Sequence, residues 1–217
     1  MLLAAQCFAV AVFLWVLVMF DKLDITIDVL RKACARKGYL FFESGNYNLN
    51  IIGIRTEDRA ANTFNDWLCV AFKQNGCWVL FVFDCTTDPG VYWRKHPMNK
   101  LGTAVLVPGQ YRGAYMLGMH KSMYPALVQQ KVLPVYRDNN LDSIVDYGGD
   151  VDKGWHGINL HPRAEGLTHD DIGKWSAGCQ VTANYYEHLM LIQAAKVSAD
   201  MWGNRFTYTL LEEADLL

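Results

Sequence analysis

Positive charge is not in excess: Lys and Arg number 20 against 22 Asp and Glu, a formal net charge of -2 with a sequence pI near 6.3. A surface that tracks phosphates needs a basic excess, so nucleic acid is not the expected partner. Cysteine is sparse, and six in 217 residues fall far short of a disulfide scaffold. Internal repeats, low-complexity tracts and linkers are missing too, which leaves no sign of a second globular domain. Apolar content is ample. At 52% hydrophobic and 13% aromatic residues, wholesale disorder is excluded, and the length suits one moderate domain or one domain with an appendage.

Charge is absent from the first twenty residues, MLLAAQCFAVAVFLWVLVMF, in which Gln6 is the one strongly polar side chain. A helix of about 20 residues rises roughly 30 Å, the thickness of a bilayer core, so the run reads as a membrane anchor. A cleaved leader fits less well, since a basic start and a small-x-small site are lacking. The competing reading is a helix buried in the protein or against a partner. Lys22, Arg31, Lys32, Arg36 and Lys37 follow the run, and this bias favours a cytoplasmic location for that side, against a catalytic part working outside.

Beyond the anchor, residues 24–37 space Ile25, Val29, Leu30 and Ala33 as an amphipathic helix stopped by Gly38. The pattern then shifts to short β-branched and aromatic runs. Strands are predicted over 48–55, 67–72, 77–83, 101–107, 113–119, 131–136 and 205–211, and a helix over 184–202. Asn75-Gly76 between two runs marks a tight hairpin. The expected fold is mainly β, a sandwich or barrel with a helix late in the chain. Three segments are expected: the apolar residues 1–21, a helix and strand over 22–66, and a main domain over 67–217.

With Asn75-Gly76 as a two-residue turn, Gln74 faces Cys77, Lys73 faces Trp78 and Cys69 faces Val82. A Cys69–Cys77 disulfide would require a slipped hairpin. Cys34, Cys69, Cys77 and Cys85 therefore read as free, buried, small hydrophobes, and Cys7 belongs to the apolar run. Cys179 stands apart.

Residues 155–182 read WHGINLHPRAEGLTHDDIGKWSAGCQVT. Cys179 follows Ser176-Ala177-Gly178, small residues that permit close backbone approach to a substrate. It precedes the late helix, whose positive end would favour a thiolate. His161 ends Gly157-Ile158-Asn159-Leu160-His161, an alternating run that reads as a strand delivering an imidazole. A thiol nucleophile needs a base and donors for the developing oxyanion, and the main-chain amides around Gly178 and Cys179 qualify. A bystander Cys and His is the bland alternative. A metal set of His161, His169 and Cys179, with Asp170-Asp171 nearby, matches no zinc spacing, so no metal or other cofactor is expected.

These residues resemble the L,D-transpeptidases of the YkuD type, which carry a His, a loop of some fifteen to twenty residues, and Ser-His-Gly-Cys. Ser176-Ala177-Gly178-Cys179 matches that run with Ala177 in place of the family's His. Gln74-Asn75-Gly76, the corner from Thr86 to Gly90, Pro108-Gly109-Gln110-Tyr111, and the helix and strand after Cys179 extend the likeness over roughly residues 67 to 211. The resemblance implies Cys179 as nucleophile, His161 as its base, and Ser176 orienting His161 through its carbonyl. The amides of Ala177, Gly178 and Cys179 would form the oxyanion hole. It also implies a peptidoglycan stem peptide as substrate, a thioester intermediate, and an envelope location in a bacterium or an origin in a phage.

Val181 departs from the family, which has Arg or Asn there, with Gln180 beside it as a substrate contact. Hydrolysis, as in a cell-wall-lytic peptidase, is then as open as cross-linking, and a non-catalytic envelope or virion protein is a third reading. Trp175 is a candidate wall of the substrate groove. Arg163 is a candidate carboxylate contact, and the resemblance places His120 and Tyr115 near the cleft. Core packing or solvent exposure is the plain alternative for each. His156, five positions before His161, falls on the opposite strand face and reads as a rim residue.

Overall fold

A computed structural model describes residues 21–58, 60–166 and 171–217. The apolar run 1–20 lies outside them, and with it the expected anchor and Cys7. Among the described residues no helix is long and apolar enough to cross a membrane.

The first helix, α1 (Ile27–Arg36), starts where the Thr26 side chain accepts a hydrogen bond from Val29 N–H at 3.2 Å. It gives way at Gly38, whose φ of 71° suits a residue without Cβ. Leu30, Ala33 and Cys34, at helical spacing, are its buried stripe. Burial of Leu30 alone contributes about 1.5–3 kcal/mol. The predicted span was longer by three residues at the start, because Lys22–Asp24 form a separate 3-10 turn.

The strands are β1 (Asn50–Arg55), β2 (Asp66–Gln74), β3 (Cys77–Thr86), β4 (Thr103–Leu106), β5 (Gly109–His120) and β6 (Tyr124–Gln129). They continue as β7 (Leu133–Asp138), β8 (Asp152–Gly154), β9 (Leu160–Pro162), β10 (Gln180–Thr182) and β11 (Phe206–Glu212). A short helix, α2 (Val91–Lys95), follows β3, and α3 (Tyr185–Trp202) precedes β11. Eight strands close a barrel in the order β1-β11-β5-β6-β9-β10-β3-β2, and β4-β7-β8 form a small separate sheet. Closure leaves no free edge in the main sheet.

Asn75 (φ 51°) and Gly76 (φ 82°) turn β2 into β3 with both residues left-handed, which matches the twist of a two-residue hairpin. The register follows: Gln74 pairs with Cys77, Lys73 with Trp78 and Cys69 with Val82. Cys34, Cys69 and Cys85 are free and buried. Cys77 is free but exposed, because it sits at the mouth of the turn where neither barrel face is covered.

Strand alternation sorts the core. Ile51, Leu68, Val70 and Leu210 enter one cluster, which α3 joins through Leu191, Ala194 and Ala195. Ile52, Cys69 and Leu211 face the other way and pack with Leu30, Ala33 and Cys34 of α1. Both faces of β1 and β2 are covered, so these strands read as continuous apolar runs rather than alternating ones. Pairing of β1 with both β2 and β11 makes residues 50–55 part of the same barrel as the later strands.

Candidate functional site

Strands β9 and β10 run parallel, with Leu160 opposite Gln180 and His161 opposite Val181. This pairing carries the two ends of the Gly157–Cys179 segment to one place. The strand predicted from Gly157 is shorter than expected: only Leu160–Pro162 is strand, and Gly157 takes φ 72°. The irregular stretch aims main-chain groups at the thiol. Asn159 N–H donates to Cys179 Sγ at 3.5 Å, and the thiol lies 3.3 Å from the Gly157 carbonyl oxygen.

Cys179 is 8% exposed. Burial pushes its thiol up to about 11, against the opposing pull of the Asn159 N–H. The helix end does not offset this. Strand β10 intervenes before α3, and the first free amides of that helix are taken by the Asn184 side chain, which accepts from Tyr186 and Glu187. The expected thiolate stabilisation by α3 is therefore missing.

His161 is 1% exposed, and its Nδ1 lies 2.9 Å from the carbonyl oxygen of Pro162. A carbonyl accepts only, so Nδ1 carries the proton and Nε2 presents its lone pair. That Nε2 is buried and has no hydrogen-bond partner among the described residues. Burial first, then the adjacent His120 ring, push His161 down to about 3. The contrast with His188 is instructive. That ring is equally buried, but Thr182 Oγ1 and the Pro125 carbonyl satisfy both its nitrogens, which makes it a tie between α3, β6 and β10.

A ring nitrogen of His120, one of His161 and Cys179 Sγ lie within 4.8 Å of one another. The two rings stack at 3.9 Å between centroids and 13° between planes. Metal ligation requires nitrogen lone pairs that converge on one point, and near-parallel rings do not supply this without breaking the stack. His169, the metal ligand considered from sequence, lies outside the described residues. The arrangement suits proton transfer between sulfur and nitrogen better than chelation.

The remaining candidates divide by what they touch. Ser176 is fully buried. Its carbonyl accepts from Gly90 N–H at 2.9 Å, and its hydroxyl donates to the Cys179 carbonyl at 2.8 Å. It braces the cysteine loop, and the carbonyl on His161 is that of Pro162 instead. Gly178 N–H donates to Ser176 Oγ at 3.2 Å, so of the three amides of the expected hole this one is already engaged. Gln180 Nε2 reaches the carbonyls of Thr87 and Gly178, and its Oε1 accepts from Tyr208 OH at 2.7 Å, so this side chain faces inward.

Tyr115 lies in the core edge-on to Tyr208, its hydroxyl buried without a partner among the described residues. Burial, then the nearby Cys179, raise that phenol well above its usual range. Arg163 is buried with its guanidinium 5.3 Å from the Phe64 ring centre. Trp175 packs edge-on against Tyr124, directly after the turn that carries His120. His156 instead contacts Arg137 and the Asp152 carbonyl. It lines a cleft of about 230 Å³ with Trp93, Thr103, Arg137, Trp155 and Ala177, the last of these two positions before Cys179 in the chain.

Sequence reading passed over Asn159 and Gln129. Asn159 touches the thiol through its N–H and His120 through Nδ2, while Oδ1 accepts from Gln129 N–H at 2.9 Å. Its place inside the Gly157–His161 run was the available signal. No protein-family model, no curated protein and no solved structure matches the chain. The functional reading rests on geometry and on the motif.

Proposed function

We propose that the chain is a cysteine acyltransferase of the L,D-transpeptidase kind, acting on peptidoglycan stem peptides through a thioester. The observation that carries this reading is the open, buried Nε2 of His161 in the same cluster as the Cys179 thiol. The order His161, loop, Ser176-Ala177-Gly178-Cys179, followed by a helix and a closing strand, supports it.

In this reaction His161 Nε2 takes the Sγ proton as sulfur attacks the substrate carbonyl. The carbonyl π electrons move onto oxygen, where the amides of Ala177 and Cys179 receive them. Collapse breaks the carbon–nitrogen bond, and the leaving amine takes the proton from His161. An amine acceptor then resolves the thioester by cross-linking, or water by hydrolysis. The cleft beside Ala177, with Trp93 and Trp155 on its walls, receives the peptide. In this reading residues 1–20 hold the chain at the cell envelope of a bacterium, or the chain is phage-encoded, against the charge bias of Lys22 to Lys37, which favours the cytoplasmic side.

A non-catalytic envelope or virion role is favoured by one observation, the neutral, deeply placed thiol. Turnover separates the two. Cys179→Ala is expected to abolish muropeptide turnover and labelling by a carbapenem, and a mutant as active as the parent would reject the enzymatic reading.

A further inference from the structure

Resting on that reading, we infer that His120 is a catalytic residue, a neutral donor that hydrogen-bonds the substrate oxyanion through Nε2–H. It supplies from another strand the imidazole that the Ser-Ala-Gly-Cys run lacks.

The tautomer follows from a chain of hydrogen bonds. Gln129 N–H has no choice but to donate, and its partner at 2.9 Å is Asn159 Oδ1. This fixes the amide orientation, so the group 3.1 Å from His120 Nδ1 is Asn159 Nδ2, a donor. Nδ1 therefore accepts, and the neutral ring holds its proton on Nε2. His161, stacked on it at 3.9 Å, is forced by the Pro162 carbonyl into the opposite tautomer. One ring is a base and its neighbour a donor.

Two further features point the same way. Gly178 N–H is engaged by Ser176 Oγ, so the oxyanion hole has a place for another donor. The turn that follows His120 is also unusual: Lys121 (φ 50°) and Ser122 (φ 56°) are both left-handed without being glycine. Such residues cost energy, and the cost is tolerated where a side chain must be held in place. Stacking also keeps His120 neutral while His161 holds the transferred proton, since two charged rings in contact repel. Asn159 and Gln129 are positioning residues in this scheme.

Four variants and one spectrum test it. Long-range proton–nitrogen NMR of the wild-type protein should show Nε2–H on His120 and Nδ1–H on His161; Nδ1–H on His120 overturns the proposal. In His120→Phe, which keeps the stack, acylation by a muropeptide should slow about 10²–10³-fold, as when one oxyanion donor is removed. His120→Gln, which restores a donor, should recover at least about tenfold of that. Asn159→Asp should reverse the His120 tautomer and slow acylation comparably, even if the Phe variant does not fold. Wild-type rates in His120→Phe or Asn159→Asp, with Cys179→Ala inactive, would refute the role of His120 alone. Activity in Cys179→Ala would instead refute the underlying reading.

Discussion

Gly178 and Ala104 approach so closely that a Cβ built on the glycine would lie 2.5 Å from the Ala104 carbonyl oxygen and 2.9 Å from Ile158 Cδ1. Gly178 also takes φ 120°, a conformation that L side chains rarely adopt. The small residue before the cysteine is thus required by the wall behind it, the small-sheet strand β4. Gly178→Ala is expected to cost roughly 1–3 kcal/mol in stability and to move the cysteine loop enough to lose most activity. Chemical denaturation alongside an acylation assay checks this, and an unaffected variant would show that the loop relaxes freely.

The resting thiol is neutral. With burial placing Cys179 near 11, only about one molecule in ten thousand holds a thiolate at pH 7. Alkylation of Cys179 by iodoacetamide should therefore be slow at pH 7 and accelerate about tenfold per pH unit up to about pH 10. Peptide mapping across that range reads the rate at this site apart from exposed Cys77. Fast, pH-independent alkylation would reveal a standing thiolate–imidazolium pair instead.

Acid stability follows from His161 with a definite sign. Its folded pKa near 3 lies below the ordinary value of about 6.5, so its contribution is complete above that value and is lost as pH falls. The loss is about 1.4 kcal/mol per pH unit for each such group. His120 and Lys121 press His161 in the same direction, as does His188. His161→Gln should then narrow its stability difference from wild type, or become the more stable protein, between pH 6.5 and 4. Urea midpoints at several pH values measure this, and parallel curves for the two proteins would contradict the assigned burial.

Much of the barrel was legible because hairpin chemistry is local. Asn75-Gly76 fixes the β2–β3 register down to Cys69 opposite Val82, with no information from elsewhere in the chain. The pairing of β1 with β11 was not legible, since nothing near residue 50 specifies a partner near residue 208. Within the site, Cys179 and His161 stood out through the motif. The role of Asn159 did not, because its side chain meets partners on β5 and β6, His120 and Gln129, which only the closed barrel brings together. Gln180 was misleading for the opposite reason: a polar residue next to Cys179 suggests a substrate contact, yet here it seals the core between Thr87 and Tyr208.

The most direct trial of the account is the intact mass of the full chain after brief incubation with purified muropeptides. A gain equal to the donor peptide less its leaving group, mapped to position 179 and missing from the alanine variant, is the predicted result. Continued consumption of muropeptide by that variant, or turnover with no acylated protein ever trapped, would contradict it.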